Sequence, residues 1–378
     1  MSTTATAAIP DAPRRVAVLG AGAVGTLLGG LLAASGSEVT LLDPRVPDAG
    51  DEIVIHEPDG RRVVVGVRRA GSPAELAAPP DLALLAVKTF DLAGALDDLR
   101  AWPATPVLTI QNGVGAEDLV AAARPGIAHA AGSLTAPVER AGPQEVRWRG
   151  RGGIGLAPVS GAVDGLLADL ADAFTGAGLP ARRIADARAM KWSKLLANLV
   201  GNALSALADR DPAEIYADPA LFDLERRQLL EALAVMRALG VRPVALPGAN
   251  VPLLAVGVRL PRGLSRFALR RVVVGARGGK SPSLRLHLRG GAEGPSEVAW
   301  LNGAVARAGA AHGVPTPVNT ALAALVDSAT GDPVLAAGLA ADPARILELV
   351  ADGGRGDAPS AASSMAHPDV HRSNRPAP

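Results

Sequence analysis

Lys194, Asn198 and Asn202 recur at four-residue steps through MKWSKLLANLVGNALSAL, residues 190–207. At helical spacing the three stack on one face, while Leu195, Leu196, Leu199, Val200 and Leu204 cover the others. An ammonium buried in such a helix is costly unless something pairs with it, so Lys194 needs a partner or a task. The chemistry open to it is that of a general acid. A partly desolvated lysine gives up its proton nearer neutral pH and can stabilise and protonate an oxygen on which negative charge develops. The alternative is a lysine that snorkels to water, with two asparagines on the rim of the domain. Glu297, in the first turns of a second apolar helix pattern over 294–313, is the obvious partner, because the helix dipole favours its charge there. A helix-start acid with no other duty is the alternative for that residue.

The scaffold for such a site begins at residues 15–19, RVAVL, a short apolar strand followed at once by GAGAVG at 20–25 and by Leu27, Leu28, Leu31 and Leu32 at helical spacing. The first glycine permits the tight turn, the second lets a pyrophosphate approach the backbone, and the third allows close packing of helix on strand. Free N–H groups at the helix start hold the phosphates. A second strand, 38–43, ends in Asp43, where an acid meets the ribose of a dinucleotide. Gly20, Gly22, Ala23, Val24, Gly25 and Asp43 are therefore candidate cofactor positions.

The alternation continues with a buried strand over 81–87, a helix over 92–99 and a strand over 106–110. In an open parallel sheet, ligands sit at the carboxyl ends of the strands, so Lys88 and Asn112, in the loops that follow two of these strands, face the cofactor crevice. A solvated lysine and a plain Asn-Gly turn are the alternatives. Shorter strands over 128–135, 145–148 and 152–156 extend the sheet, and a helix over 163–177 and a strand near 182–184 complete the unit. From there helical periodicity dominates, over 188–208, 219–239, 294–313 and 318–328. The expected architecture is an N-terminal Rossmann-type α/β domain with a doubly wound parallel sheet, residues 15–186, and an all-α C-terminal domain, residues 187–351. Tails at 1–14 and 352–378 are small, polar and proline-punctuated and read as disordered.

Composition narrows the rest. With 38 basic and 37 acidic side chains the formal charge is +1, which favours neither nucleic acid nor membrane lipid as partner. No cysteine is present and the 6 histidines form no ligand-spaced cluster, so the expectation is chemistry without a metal or a thiolate. Arg14-Arg15 ahead of an uncharged run has the outline of an export signal, but the glycines of that run suit a strand-turn-helix, and a cytoplasmic protein is expected. Residues 232–292 hold many arginines and no acid. With Phe267 as their only aromatic, they read as solvated helix faces rather than a nucleic-acid surface.

Taken together, GAGAVG (20–25), VK (87–88), QNGVG (111–115), WSKLLANLVGN (192–202), SPS (281–283), SEVAWLNG (296–303) and HGVPTPVN (312–319) resemble the ketopantoate reductase (2-dehydropantoate 2-reductase) family over roughly 15–350. The resemblance implies reduction of a 2-oxo acid, ketopantoate, to pantoate with NADPH, on the route to pantothenate. It places the family's catalytic lysine on Lys194 and glutamate on Glu297. Its substrate contacts fall on Asn198, Asn202 and Ser283, and its cofactor loops on Lys88 and Asn112. Where many members carry an arginine directly after the second strand to bind the 2′-phosphate, this chain has Asp43-Pro44 and then Arg45. NADP is the expected cofactor with Arg45 as the phosphate ligand, and NAD, held by Asp43, is the alternative. Another branched 2-oxo acid as substrate and a non-catalytic nucleotide sensor are the rival functions; the oligomeric state is not readable from the sequence, and a homodimer through helical surfaces is the candidate assembly.

Overall fold

The computed structural model describes residues 15–43, 50–142, 144–150, 152–276, 282–290 and 295–353. Of the expected tails, 1–14 and 354–378 lie outside the described residues, as does Arg45, whereas residues 352 and 353, expected in the C-terminal tail, close the last helix.

The N-terminal part carries twelve strands among the described residues: β1 (Arg15–Leu19), β2 (Glu38–Leu42), β3 (Glu52–His56), β4 (Arg62–Gly66), β5 (Arg68–Ala70), β6 (Leu82–Leu85), β7 (Val107–Thr109), β8 (His129–Leu134), β9 (Val138–Gly142), β10 (Glu145–Trp148), β11 (Ile154–Ser160) and β12 (Ala181–Arg183). Eight of them form one sheet in the order β12-β11-β8-β7-β6-β1-β2-β5. All neighbours in it run parallel except β8 and β11, which are antiparallel. The helices α1 (Ala23–Ala34), α2 (Leu92–Asp98), α3 (Ala116–Ala123) and α4 (Asp164–Gly176) complete this part. Alternation along β1 splits the core in two: Val16 and Val18 join the apolar cluster on one face, Ala17 and Leu19 that on the other. A sheet covered on both faces needs continuously apolar strands, and β6, LALL, is buried throughout.

A second sheet, order β4-β3-β10-β9, was not expected from the sequence. Residues 145–148, expected to extend the main sheet, belong to this one, where β10 pairs parallel to β3 and antiparallel to β9. Helix α1 packs between the two sheets, and its small residues allow it. A side chain at Gly29 would meet Leu41 of the main sheet at 3.1 Å, and one at Gly30 would meet Ile55 of the second at 2.8 Å.

The helical part comprises α5 (Ala187–Leu199), α6 (Ala203–Ala208), α7 (Pro212–Ala217), α8 (Pro219–Ala238), α9 (Val251–Arg259), α10 (Arg262–Ala276), α11 (Ser283–Arg289), α12 (Asn302–Ala311), α13 (Pro317–Gly331), α14 (Pro333–Ala341) and α15 (Ala344–Gly353). The single helix expected over 188–208 is two helices. The backbone turns at Val200 (ψ 110°), and Asn202 becomes the N-cap of α6. Buried Glu225 accepts the Gly201 N–H released by that break, which replaces the missing helical bond. The helix expected over 294–313 begins as a 3₁₀ turn, Glu297–Trp300, before α12. Part of the acid-free segment finds its counter-charges on neighbouring elements. Arg262 pairs with Asp223, and Arg285 with Asp209 and Asp211. Among the described residues, no helix is long and apolar enough to cross a membrane.

Candidate active site between the sheet and the first helix

Gly20 turns the chain with φ +103°, and a Cβ there would lie 2.7 Å from the Val87 nitrogen, so the loop fits only against the end of β6. A Cβ at Gly25 would stand 2.0 Å from the Gly20 carbonyl oxygen, so α1 can start this close to β1 only with glycine there. At Gly22 a Cβ would meet nothing within 4 Å, and no side chain caps the α1 N-terminus. An open approach to uncapped amides is the arrangement that accepts a pyrophosphate. Asp43, just past β2, is 6% exposed, and its Oδ2 accepts the Ala21 N–H at 3.3 Å. Arg140 of β9 reaches over to donate to the Ala21 carbonyl.

Two further loops, at the ends of β6 and β7, meet the helical part. Lys88 Nζ lies 2.9 Å from Glu297 Oε2, with the lysine side chain 55% exposed and the glutamate 15%. Asn198 Nδ2 donates to Asn112 Oδ1 at 3.4 Å. Gly113, φ +83°, runs under Trp300 so closely that a Cβ would come 2.3 Å from the Trp300 carbonyl oxygen. The Phe90 and Trp300 rings stand 6.0 Å apart at 50°. Asn202, 5% exposed, bridges to the start of α11: its Oδ1 accepts the Leu284 N–H at 3.1 Å and its Nδ2 donates to Ser283 Oγ at 3.4 Å. The sequence-derived residues thus converge in two groups, Lys88, Asn112, Asn198 and Glu297 in one and Asn202 with Ser283 in the other. Lys194 stands on α5 one turn before Asn198. Asn202 falls off the expected stripe because the helix ends before it.

The sequence pointed to Lys194 as the buried ammonium, but Lys194 is half-buried, and the deeply buried lysine of α5 is Lys191, 3% exposed. Lys191 Nζ lies 2.8 Å from Glu117 Oε1 on α3 and donates to the Gln111 carbonyl at 2.9 Å. Thr109 Oγ1 donates to the same Glu117 oxygen at 2.9 Å and lies 3.1 Å from His129 Nε2. With the threonine proton directed at the carboxylate, His129 must donate from Nε2, which leaves Nδ1 as the bare nitrogen, and Nδ1 indeed has no partner. Burial lowers His129 to about 4, so the ring is neutral. Burial also pushes Glu117 up, but the Lys191 charge and the hydrogen bonds from Lys191 and Thr109 outweigh it and hold the carboxyl below its usual range. Removing one charge of such a buried pair costs roughly 3–5 kcal/mol, because the other is left uncompensated. A second lysine one turn before the first was the only sequence signal for this pair.

A glycine-loop, largely parallel sheet whose strand-end loops face a helix bearing lysine and asparagine is the architecture of a Rossmann-type dinucleotide-binding protein with a helical second part. Residues 16–161 match the family described as Ketopantoate reductase PanE/ApbA, and residues 186–329 match Ketopantoate reductase PanE/ApbA C terminal. The chain belongs to the ketopantoate reductase family. It is 32% identical over 325 residues to a 2-dehydropantoate 2-reductase of Halobacterium salinarum, covering 84% of this chain and 99% of that one. It is similar to the crystal structure of a PanE/ApbA family ketopantoate reductase from Ralstonia eutropha, with a TM-score of 0.70, 30% identity and coverage of 84% and 98%. The 2-dehydropantoate 2-reductase from Geobacter metallireducens gives a TM-score of 0.71 at 28% identity, with coverage of 83% and 99%.

Proposed function

We propose that this protein reduces the 2-oxo group of 2-dehydropantoate to give pantoate, using a reduced nicotinamide dinucleotide. The observation that carries the reading is the meeting of Lys88 and Asn112, from the sheet's strand ends, with Glu297 and Asn198 from the helical part, beside Lys194. In this reading residues 15–186 hold the cofactor and residues 187–351 hold the acid and the substrate.

The groups present fit such a cofactor: the α1 N-terminus is uncapped and the space beside Gly22 is open. Gly20, Gly22, Ala23, Val24 and Gly25 would cradle its pyrophosphate, with Lys88 and Asn112 along the crevice. When bound, it supplies a hydride to the substrate's carbonyl carbon. Lys194 stabilises the negative charge that grows on the carbonyl oxygen and donates a proton to it. Glu297 and Asn198 hydrogen-bond and orient the substrate, and Asn202 holds Ser283 in place at the head of α11. Closure of the helical part onto the strand-end loops would exclude water from the reacting atoms.

NADPH is the preferred cofactor in this reading, with Arg45 on the 2′-phosphate and NADH as the weaker second choice. Two observations support it. One oxygen of Asp43 is engaged by the Ala21 N–H. Arg140, whose guanidinium donates to the Ala21 carbonyl, also puts a cation beside the same glycine loop. Steady-state rates for a panel of branched 2-oxo acids with each reduced cofactor test the proposal. 2-Dehydropantoate is expected to give the highest kcat/KM, and a better substrate elsewhere in the panel would reassign the reaction.

A further inference from the structure

We propose that Lys191 is a positioning residue that fastens the cofactor-facing loops to the helix carrying Lys194, an inference that rests on the reductase reading of the site. Its ammonium sits one turn before Lys194 on α5 and joins two groups of the sheet unit, Glu117 Oε1 at 2.8 Å and the Gln111 carbonyl at 2.9 Å. Gln111 immediately precedes Asn112. The Gln111 side chain in turn donates to the Leu85 carbonyl at 2.9 Å and the Val87 carbonyl at 3.2 Å, in the segment that leads into Lys88. One buried cation therefore fixes, through a single glutamine, both loops that reach toward Asn198 and Glu297. The carboxylate is held in turn by the chain from His129 Nε2–H to Thr109 Oγ1–H to Glu117 Oε1, with every donor aimed at it. A small displacement of such loops is expensive in rate, because reacting groups must lie within a few tenths of an ångström of their working geometry.

A merely structural salt bridge would explain the burial, and a double replacement separates the two roles. Lys191→Met removes the charge and the bond to Gln111, and Lys191→Met with Glu117→Gln also removes the stranded carboxylate. We expect the single variant to lower both Tm and kcat, the latter at least tenfold, with the KM for the 2-oxo acid within threefold. The double variant should recover much of the Tm while kcat stays low, because the Gln111 carbonyl is still unheld. Recovery of kcat together with Tm would overturn the proposal, as would a single variant with kcat within twofold of the parent.

A second measurement needs neither substrate nor cofactor and therefore survives if the reductase reading is wrong. In amide hydrogen exchange, Lys191→Met should expose Asn112, Gly113 and Val114 at least tenfold faster than in the parent protein, with β1 and α8 unchanged. If Lys191→Met fails to fold, Glu117→Gln carries the same test, since it loosens the ammonium without changing the shape of the side chain. Unchanged exchange in this loop would overturn the proposal whatever the enzyme reduces.

Discussion

Glu297 and Lys88 face each other across the cleft at 2.9 Å, one from the 3₁₀ turn before α12 and the other from the loop after β6. The sequence suggested Lys194 as the obvious partner of Glu297, so this contact ties the glutamate to the cofactor side as well as to the helical part. With the lysine side chain more than half exposed, the pair contributes about 1 kcal/mol at most. Glu297→Gln is thus expected to leave the fold intact and the dinucleotide Kd within about fivefold, while kcat/KM for the 2-oxo acid falls by roughly 10²-fold. Titration of cofactor fluorescence alongside initial rates measures both. Loss of cofactor binding with normal turnover at saturation would show that the glutamate serves Lys88 and not the substrate.

Lys194→Ala tests the proposed proton donor directly. A lost general acid lowers turnover by roughly 10²-fold or more and leaves binding of both ligands nearly intact. Turnover close to that of the parent would return Lys194 to a lysine snorkelling from a helix flank.

How much of this was legible beforehand follows from where each signal lies. The glycine loop and its flanking strands could be read because every group that makes it lies within one short segment. The second sheet went unread although Asp59-Gly60 between two β-branched runs is a hairpin signal. The alternating exposure of β4 gave no buried run to catch the eye. Gly201 in the middle of a helical pattern likewise warned of the break before Asn202. For the Lys191 pair the second lysine was the only signal, since Glu117 and Gln111 reach α5 only through the tertiary fold. Two lysines on one turn do not declare which is buried.

The buried histidine gives a pH dependence with a definite sign. His129 is fully buried and held neutral, lowered from 6.5 to about 4. The unfolded chain therefore takes up a proton first as the pH falls. The stability tied to the neutral ring is complete above about pH 6.5 and is lost as the pH drops toward 4, by an amount on the order of 3 kcal/mol. Glu117, also held below its ordinary range, adds a further loss within the carboxylate range. Urea midpoints between neutral pH and the acid side should fall for the parent protein and fall less steeply for His129→Gln. Equal slopes would remove His129 from the account.

Cofactor choice turns on Asp43 and Arg45, where local chemistry pulls in opposite directions. A carboxylate at the end of the second strand accepts hydrogen bonds from a ribose 2′-hydroxyl and repels a 2′-phosphate, whereas a nearby arginine accommodates that phosphate. Asp43 is buried with one oxygen on the Ala21 N–H, which anchors it to the glycine loop. Arg140 is fastened to the same residue through its carbonyl, so a guanidinium stands close to the carboxylate. Loss of one charge-assisted contact to a phosphate corresponds to about 1.5–3 kcal/mol, or roughly 10- to 150-fold in Kd. Arg45→Ala should therefore weaken NADPH binding by that factor and leave NADH binding unchanged. Arg140→Ala should weaken NADPH by a smaller factor, since its guanidinium is already engaged by the Ala21 carbonyl. A parent protein that binds NADH far more tightly than NADPH would instead make Asp43 the ribose ligand, and the cofactor would be NAD.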